Sequence, residues 1–362
     1  MPCFITRTGS FLPGSPVEND TIEDYLGSLD GESDVKRQVL AMNGITRRHY
    51  AQDKRQLPTM DVYELAAAAV RDCLNGDSAV SPVTFLSAGT TYAPLSGPGI
   101  GSILHDRLRH SGHLNHPVEV SSQSGICTSA AAAMVAAVRA VSAGHHLAAV
   151  CTGAEHASEV LKAAAIHPID DRAMHTDLRK SQWFMSVFLR FMLSDGAGAI
   201  LLQESPNRIG LSLQVDWTHS LSFANEAPLC MKLDNSNRLL SQDVAILSRH
   251  LFPLARKFVE AAFQTHTETL DGYSLVLPHL SSFFFRRKFE RMLQELSSDA
   301  LKPVSYWTNL ATTGNTGAAS IYVMLDHYLK QNTIRNGERL LLFIPESGQF
   351  NFVLVSLTAV VR

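Results

Sequence analysis

Cysteine is scarce in this chain. Cys3, Cys73, Cys127, Cys151 and Cys230 are five, an odd number scattered over 362 residues. Such usage argues against a disulfide framework and predicts a reducing, cytoplasmic setting. Charge is modest too: charged residues make up 18%, and 31 Lys+Arg against 34 Asp+Glu leave a net charge of −3. There is no basic excess to attract nucleic acid or an anionic membrane surface. The longest apolar run, Ala130 to Val138, falls far short of the ~20 residues that span a bilayer. The opening Met1-Pro2-Cys3-Phe4-Ile5-Thr6-Arg7 lacks the charged start, apolar core and small-residue cleavage site of a secretory signal. What remains is an ordinary globular balance, 45% hydrophobic, long enough for one large α/β unit or two fused halves around a shared core.

The pattern alternates strands and helices. Strands are expected over residues 4–11, 84–88, 118–121, 147–151, 199–203, 273–277, 338–345 and 352–361. Helices are expected over 61–73, 100–108, 128–142, 241–265, 284–296 and 317–329; in the fourth, Val244, Leu247, Leu251, Leu254 and Phe258 fall at helical spacing. A turn, Asp195-Gly196-Ala197-Gly198, is expected to open the strand at 199. Ser205-Pro206-Asn207 breaks the pattern and divides the chain into halves 1–205 and 206–362. The halves look equivalent: Gly125-Ile126-Cys127-Thr128-Ser129-Ala130 and Gly314-Asn315-Thr316-Gly317-Ala318-Ala319 each place one functional side chain before a small-residue helix. Small side chains there suit two helices buried centrally between sheets.

Cys127 stands between a strand and an alanine-rich helix. A helix start gathers unpaired N–H groups and the positive end of the macrodipole, so a thiolate nucleophile is expected there. A buried structural cysteine is the ordinary alternative. Two further segments favour the nucleophile: His279 in Leu277-Pro278-His279-Leu280 and Asn315 in Thr313-Gly314-Asn315-Thr316-Gly317. Taken singly, a core histidine and a turn asparagine would be unremarkable readings of the two.

These three, with Asp195-Gly196-Ala197-Gly198, Gly44-Ile45-Thr46-Arg47-Arg48 and Gly9-Ser10-Phe11-Leu12-Pro13, resemble the type III β-ketoacyl-acyl-carrier-protein synthases of the thiolase superfamily over nearly the whole chain. The resemblance implies a five-layered αβαβα fold of two pseudo-equivalent halves. It implies that Cys127 holds an acyl group covalently while His279 and Asn315 hydrogen-bond the carbonyl of a second thioester, favouring its enolate. It also implies an oxyanion hole from the Cys127 N–H and Gly348, and a carrier-protein or phosphopantetheine surface that includes Arg286 and Arg287. Substrates would arrive on acyl carrier protein or coenzyme A, with no metal or other cofactor, and the enzyme would be a homodimer paired through the strand before the cysteine.

The chain departs from the usual pattern at Leu280-Ser281-Ser282, at Phe191-Met192-Leu193-Ser194, in the longer segment 181–190, and at Pro345-Glu346-Ser347-Gly348. These variants look most like the branch that builds dialkylresorcinol and flexirubin-type cores. There the resemblance implies condensation and ring closure between a β-ketoacyl thioester and a second acyl thioester, giving a cyclohexanedione. The alternatives are an ordinary decarboxylating synthase using malonyl carrier protein and an acyltransferase to an alcohol or amine. A non-catalytic partner subunit is disfavoured by the retained Cys127, and an α/β-hydrolase by the missing Gly-x-Ser-x-Gly elbow.

Glu155 is either an acid lining the cleft or a helix-start glutamate. His105, His110, His113 and His116 cluster without a cysteine or a zinc spacing, so a solvated helix end is expected there rather than a metal site.

Overall fold

A computed structural model describes every residue except 76–80, 170, 172–175, 178–180, 235–237 and 302. Nine strands form one mixed sheet: β1 Phe4–Phe11, β2 Phe85–Thr90, β3 Glu119–Ser124, β4 Ala148–Glu155, β5 Gly196–Gln203, β6 Leu211–Ser222, β7 Leu275–Pro278, β8 Arg339–Pro345 and β9 Asn351–Val361. Their order is β7-β8-β9-β6-β1-β5-β4-β2-β3. The main helices are α1 Glu32–Asn43, α2 Val62–Leu74, α3 Ile100–His110, α4 Ser129–Ser142, α5 Gln182–Arg190, α6 Val244–His266, α7 Arg286–Leu296 and α8 Ser320–Gln331. Side-chain caps fix several starts. Asp61 accepts from the Glu64 N–H at 2.7 Å, Ser181 from Phe184 at 3.1 Å and Asp243 from Ile246 at 2.9 Å.

Successive strand residues face opposite sides, and each side buries its own core. On one outer face Leu65 and Val70 of α2 and Leu104 of α3 pack on Leu86, Val150 and Leu201. In the middle Met134 and Val138 of α4 and Ile321 and Leu325 of α8 pack on Cys151 and Ile200 from one half and on Leu342 and Val355 from the other. On the far face Phe258 of α6 and Phe289 and Met292 of α7 cover Leu341, Phe343 and Leu354. Five layers result, αβαβα, with α4 and α8 as the buried central pair. Gly153 on β4 shows why small residues are needed there. A Cβ added to it would lie 2.5 Å from the Ala130 Cβ and 3.1 Å from the Ala318 carbonyl.

The two halves of the sheet join through only two residue pairs, Phe4↔Gln214 and Ile5↔Leu213, between β1 and β6. The proposed boundary at 206 falls in the loop between β5 and β6. Several elements differ from the sequence reading. Gly196 to Gly198 already belong to β5, and Asp195 is a buried tie whose carboxylate accepts from the N–H groups of Ala51 and Ser158 at 2.7 and 2.8 Å. Helix α6 begins at Val244 because Ser241 belongs to a hairpin, Met231–Asp234 with Leu239–Gln242. Helices α7 and α8 are each entered through a 3-10 turn, Phe283–Phe285 and Gly317–Ala319. No helix among the described residues is long and apolar enough to cross a membrane.

Candidate active site

Each candidate side chain sits where an element ends. Cys127 precedes α4, His279 follows β7, and Asn315 lies in the turn before α8. All three line a single cavity, whose empty volume is about 1060 Å³ with its open mouth included. Apart from them, Glu155 and a few small polar side chains, its wall is apolar.

Asn315 is fixed on both sides. Its N–H donates to the Met192 carbonyl at 3.1 Å, and its carbonyl accepts from Ser194 at 2.8 Å. Its Oδ1 accepts from the Gly317 N–H at 3.0 Å, which leaves the Nδ2 donor for a ligand. His279 is held by its backbone N–H on the Phe343 carbonyl at 2.8 Å. Its ring is buried, and neither ring nitrogen has a hydrogen-bond partner. Burial lowers its pKa to about 4. The imidazole is therefore neutral near pH 7, with one nitrogen donating and the other accepting.

The environment of Cys127 corrects the expectation of an acidic thiol. Burial raises its pKa well above the usual cysteine value, and the charges of Glu346 and Glu155 push it further. Glu346 occupies the helix start that was expected to favour a thiolate. Its Oε2 accepts from the Thr128 N–H at 3.2 Å and from the Thr128 hydroxyl. Its Oε1 accepts from Asn351 Nδ2 at 2.9 Å.

Glu155 is the last residue of β4, not part of a helix, and it lines the cavity. Its Oε1 accepts from the Thr91 N–H at 2.6 Å and the Thr90 hydroxyl at 3.1 Å. Burial outweighs those bonds and raises its pKa to about 7. Gly317, at φ +53°, passes so close that a Cβ there would meet Glu155 Oε2 at 2.4 Å.

Other expected residues lie outside the wall. Gly348 stands behind it: its carbonyl accepts from Cys230 and Met231, and a Cβ on it would be 2.9 Å from Ile126. Pro345 and Ser347 line the cavity instead. Arg286 and Arg287 are exposed on α7, and Arg286 pairs with Glu290 at 2.8 Å. The histidine cluster ties its loop together. His105 Nε2 bonds the carbonyls of Leu114 and His116 at 3.1 Å each, and His116 Nε2 bonds that of Val83 at 2.8 Å. Among the described residues, no three His, Cys, Asp or Glu side chains are grouped to hold a metal.

Sequence reasoning missed most of the apolar wall. It comprises Ala157, Val160, Leu189 and Met192 on one side and Leu247, Leu251, Phe252 and Phe289 on the other, with the hairpin residues Met231 and Leu240. The amphipathic spacing in segments 182–190 and 244–255 carried that signal.

The family model "3-Oxoacyl-[acyl-carrier-protein (ACP)] synthase III C terminal" matches residues 274–345, a stretch that contains both His279 and Asn315. The β-ketoacyl-[acyl-carrier-protein] synthase III of Acholeplasma laidlawii is 22% identical over 92% of this chain and 91% of its own. Among solved structures, the 3-oxoacyl-(acyl carrier protein) synthase III, FabH, of Xanthomonas oryzae superposes with a TM-score of 0.74 at 18% identity, covering 99% of each chain. OleA of Xanthomonas campestris with bound lauric acid and lauroyl-CoA gives a TM-score of 0.73 at 16% identity, covering 99% of each chain. The fold is the thiolase-like fold of FabH, and residues 274–345 are similar to the C-terminal part of the type III synthases.

Proposed function

We propose that this chain joins two acyl chains by a Claisen-type condensation. The Cys127 sulfur attacks an acyl thioester carbonyl. A new C–S bond forms, the substrate C–S bond breaks, and the pantetheine thiol leaves carrying the proton that Cys127 gave up. The carbonyl oxygen of a second thioester then accepts hydrogen bonds from His279 and Asn315, so negative charge is stabilised there as its α-proton is lost. That proton passes to the Glu155 carboxylate in the cavity wall, from which it returns to the Cys127 sulfur on its expulsion. The carbanion attacks the acyl-Cys127 carbonyl, the new C–C bond forms, and the Cys127 sulfur is expelled. In the finer form of the reading, a β-ketoacyl thioester is one substrate and the joined chains close to a cyclohexanedione, the dialkylresorcinol precursor.

The observation that carries the reading is His279. A buried imidazole with two unpartnered nitrogens faces the same cavity as a thiol and an asparagine amide. Buried polar groups are ordinarily satisfied, so an orphaned ring in a cleft fits a ligand oxygen. Apolar walls on both sides of the polar residues support a two-chain substrate set. The lauric acid and lauroyl-CoA held by OleA are in keeping with it.

Delivery by acyl carrier protein or coenzyme A, with Arg286 and Arg287 on the carrier-facing surface and Gly348 near the oxyanion site, belongs to the same proposal. So does a homodimer paired along β3, the terminal strand of the sheet.

Intact-mass measurement after mixing with acyl-carrier and coenzyme A thioesters tests it. An acyl adduct is expected on the wild type and none on Cys127→Ala, with a coupled product once a second thioester is added. An adduct retained by Cys127→Ala would remove the nucleophile. A product formed only with malonyl thioester would favour a decarboxylating synthase, and transfer to an added alcohol or amine would favour an acyltransferase.

A further inference from the structure

A second, smaller cavity lies beyond the active-site cleft, and the two share only Phe289 and Phe343. These rings are stacked, with centroids 6.1 Å apart and planes 12° from parallel. Both are buried, and Phe289 is braced edge-on by Tyr306 at 5.2 Å. Beyond them the chamber is lined only by apolar side chains, among them Val276, Met292, Leu293, Leu341 and Leu354. Phe343 pairs with Pro278 across β7 and β8, and its carbonyl receives the His279 N–H. Phe343 thus flanks His279 along β7 and β8, and both rings belong to the core of the far face, opposite the central core that contains α4.

We propose that Phe289 and Phe343 form the floor that sets the chain length of the second thioester, the one whose carbonyl rests against His279. Resting on the two-chain condensation above, this assigns the specificity of one of its two substrates. An aromatic pair is a stiff stop, because each ring has few rotamers and both are held by neighbours. Removing one ring frees the space it fills and joins the cleft to this small apolar cavity, where methylenes are accommodated at no polar cost.

The test measures loading and condensation separately with saturated thioesters stepped by two carbons. In Phe289→Ala, and in Phe289→Leu, which keeps a buried apolar side chain, the product ratio of long to short second chains is expected to rise roughly tenfold or more, the scale on which an apolar pocket discriminates a methylene. The length preference for acylation of Cys127, read by intact mass, is expected to stay unchanged. Condensation with an unaltered second-chain preference in both variants would overturn the floor. A shift confined to the loading step would overturn its assignment to the second chain. Failure of the wild type to acylate or condense would instead strike the proposed function itself.

Discussion

Glu346 reaches across 218 residues of sequence to accept the backbone N–H of Thr128, the residue after the candidate nucleophile. One carboxylate thus ties the start of helix α4 to the closing loop before β9. A helix start favours an anion, and here the protein supplies its own. The thiol beside it is kept protonated in the resting enzyme by burial and by this neighbour.

Replacing Glu346 with Gln removes a negative charge while keeping a hydrogen-bonding side chain of the same shape. The Cys127 pKa is expected to fall, and alkylation of Cys127 at pH 7.5 to speed up by up to about tenfold. Rates of iodoacetamide labelling across pH measure this. An unchanged pH profile would show that burial and Glu155 hold the thiol without help from Glu346.

His279 has a folded pKa of about 4, below its unfolded value near 6.5. As pH falls through that window the unfolded chain binds the proton first, so stability is lost on acidification. The loss approaches about 3 kcal/mol. His279→Gln is expected to escape it, which denaturant unfolding at stepped pH would reveal. Condensation by this variant should fall at least a hundredfold while acylation of Cys127 persists.

Glu155 shifts the other way. Its folded pKa of about 7 lies above the ordinary carboxylate value near 4.5, so the folded protein keeps a proton that the unfolded chain has released. Stability therefore falls as pH rises from 4.5 to 7, again by about 3 kcal/mol. In the wild type the two trends largely offset each other between pH 4.5 and 6.5. Glu155→Gln is expected to unmask a stability that climbs with pH there, and a flat profile in that variant would contradict the assignment.

Gly317→Ala sets a methyl group against the Glu155 carboxylate at a left-handed backbone position. A cost of about 2–4 kcal/mol is expected. The Asn315 turn, held by the Gly317 N–H, should loosen with it, so condensation should fall more than loading. A variant as stable as the wild type would mean that the turn readily yields.

Much of this was legible in the chain. The strand and helix pattern and the two central small-residue helices stand out as local signals, whereas Cys127, His279 and Asn315 stand out only together, through the resemblance that their ordered motifs carry. Strand β6 is absent from the sequence reading although Leu211, Leu213, Val215 and Trp217 alternate with polar residues, because its second half is mostly polar and poorly buried. The thiol's acidity could not be read locally, because what opposes it is burial in the folded cleft and then the charges of Glu346 and Glu155, which lie well along the sequence. The cavity wall escaped for the same reason. Phe289 and Phe343 are ordinary core residues on their own elements and become a floor only where a helix crosses a strand.

The narrow join between β1 and β6 has a mechanical consequence. Only two residue pairs join the two halves of the sheet, and the central helices, the Asn315 turn and Glu346 supply the other ties between the half that carries the sulfur and the half that carries the imidazole and amide. An acyl group fastened to the sulfur and a second thioester held by the other two groups together straddle that seam. Substrate then acts as a rivet, and the loaded enzyme should melt later and more cooperatively than the empty one.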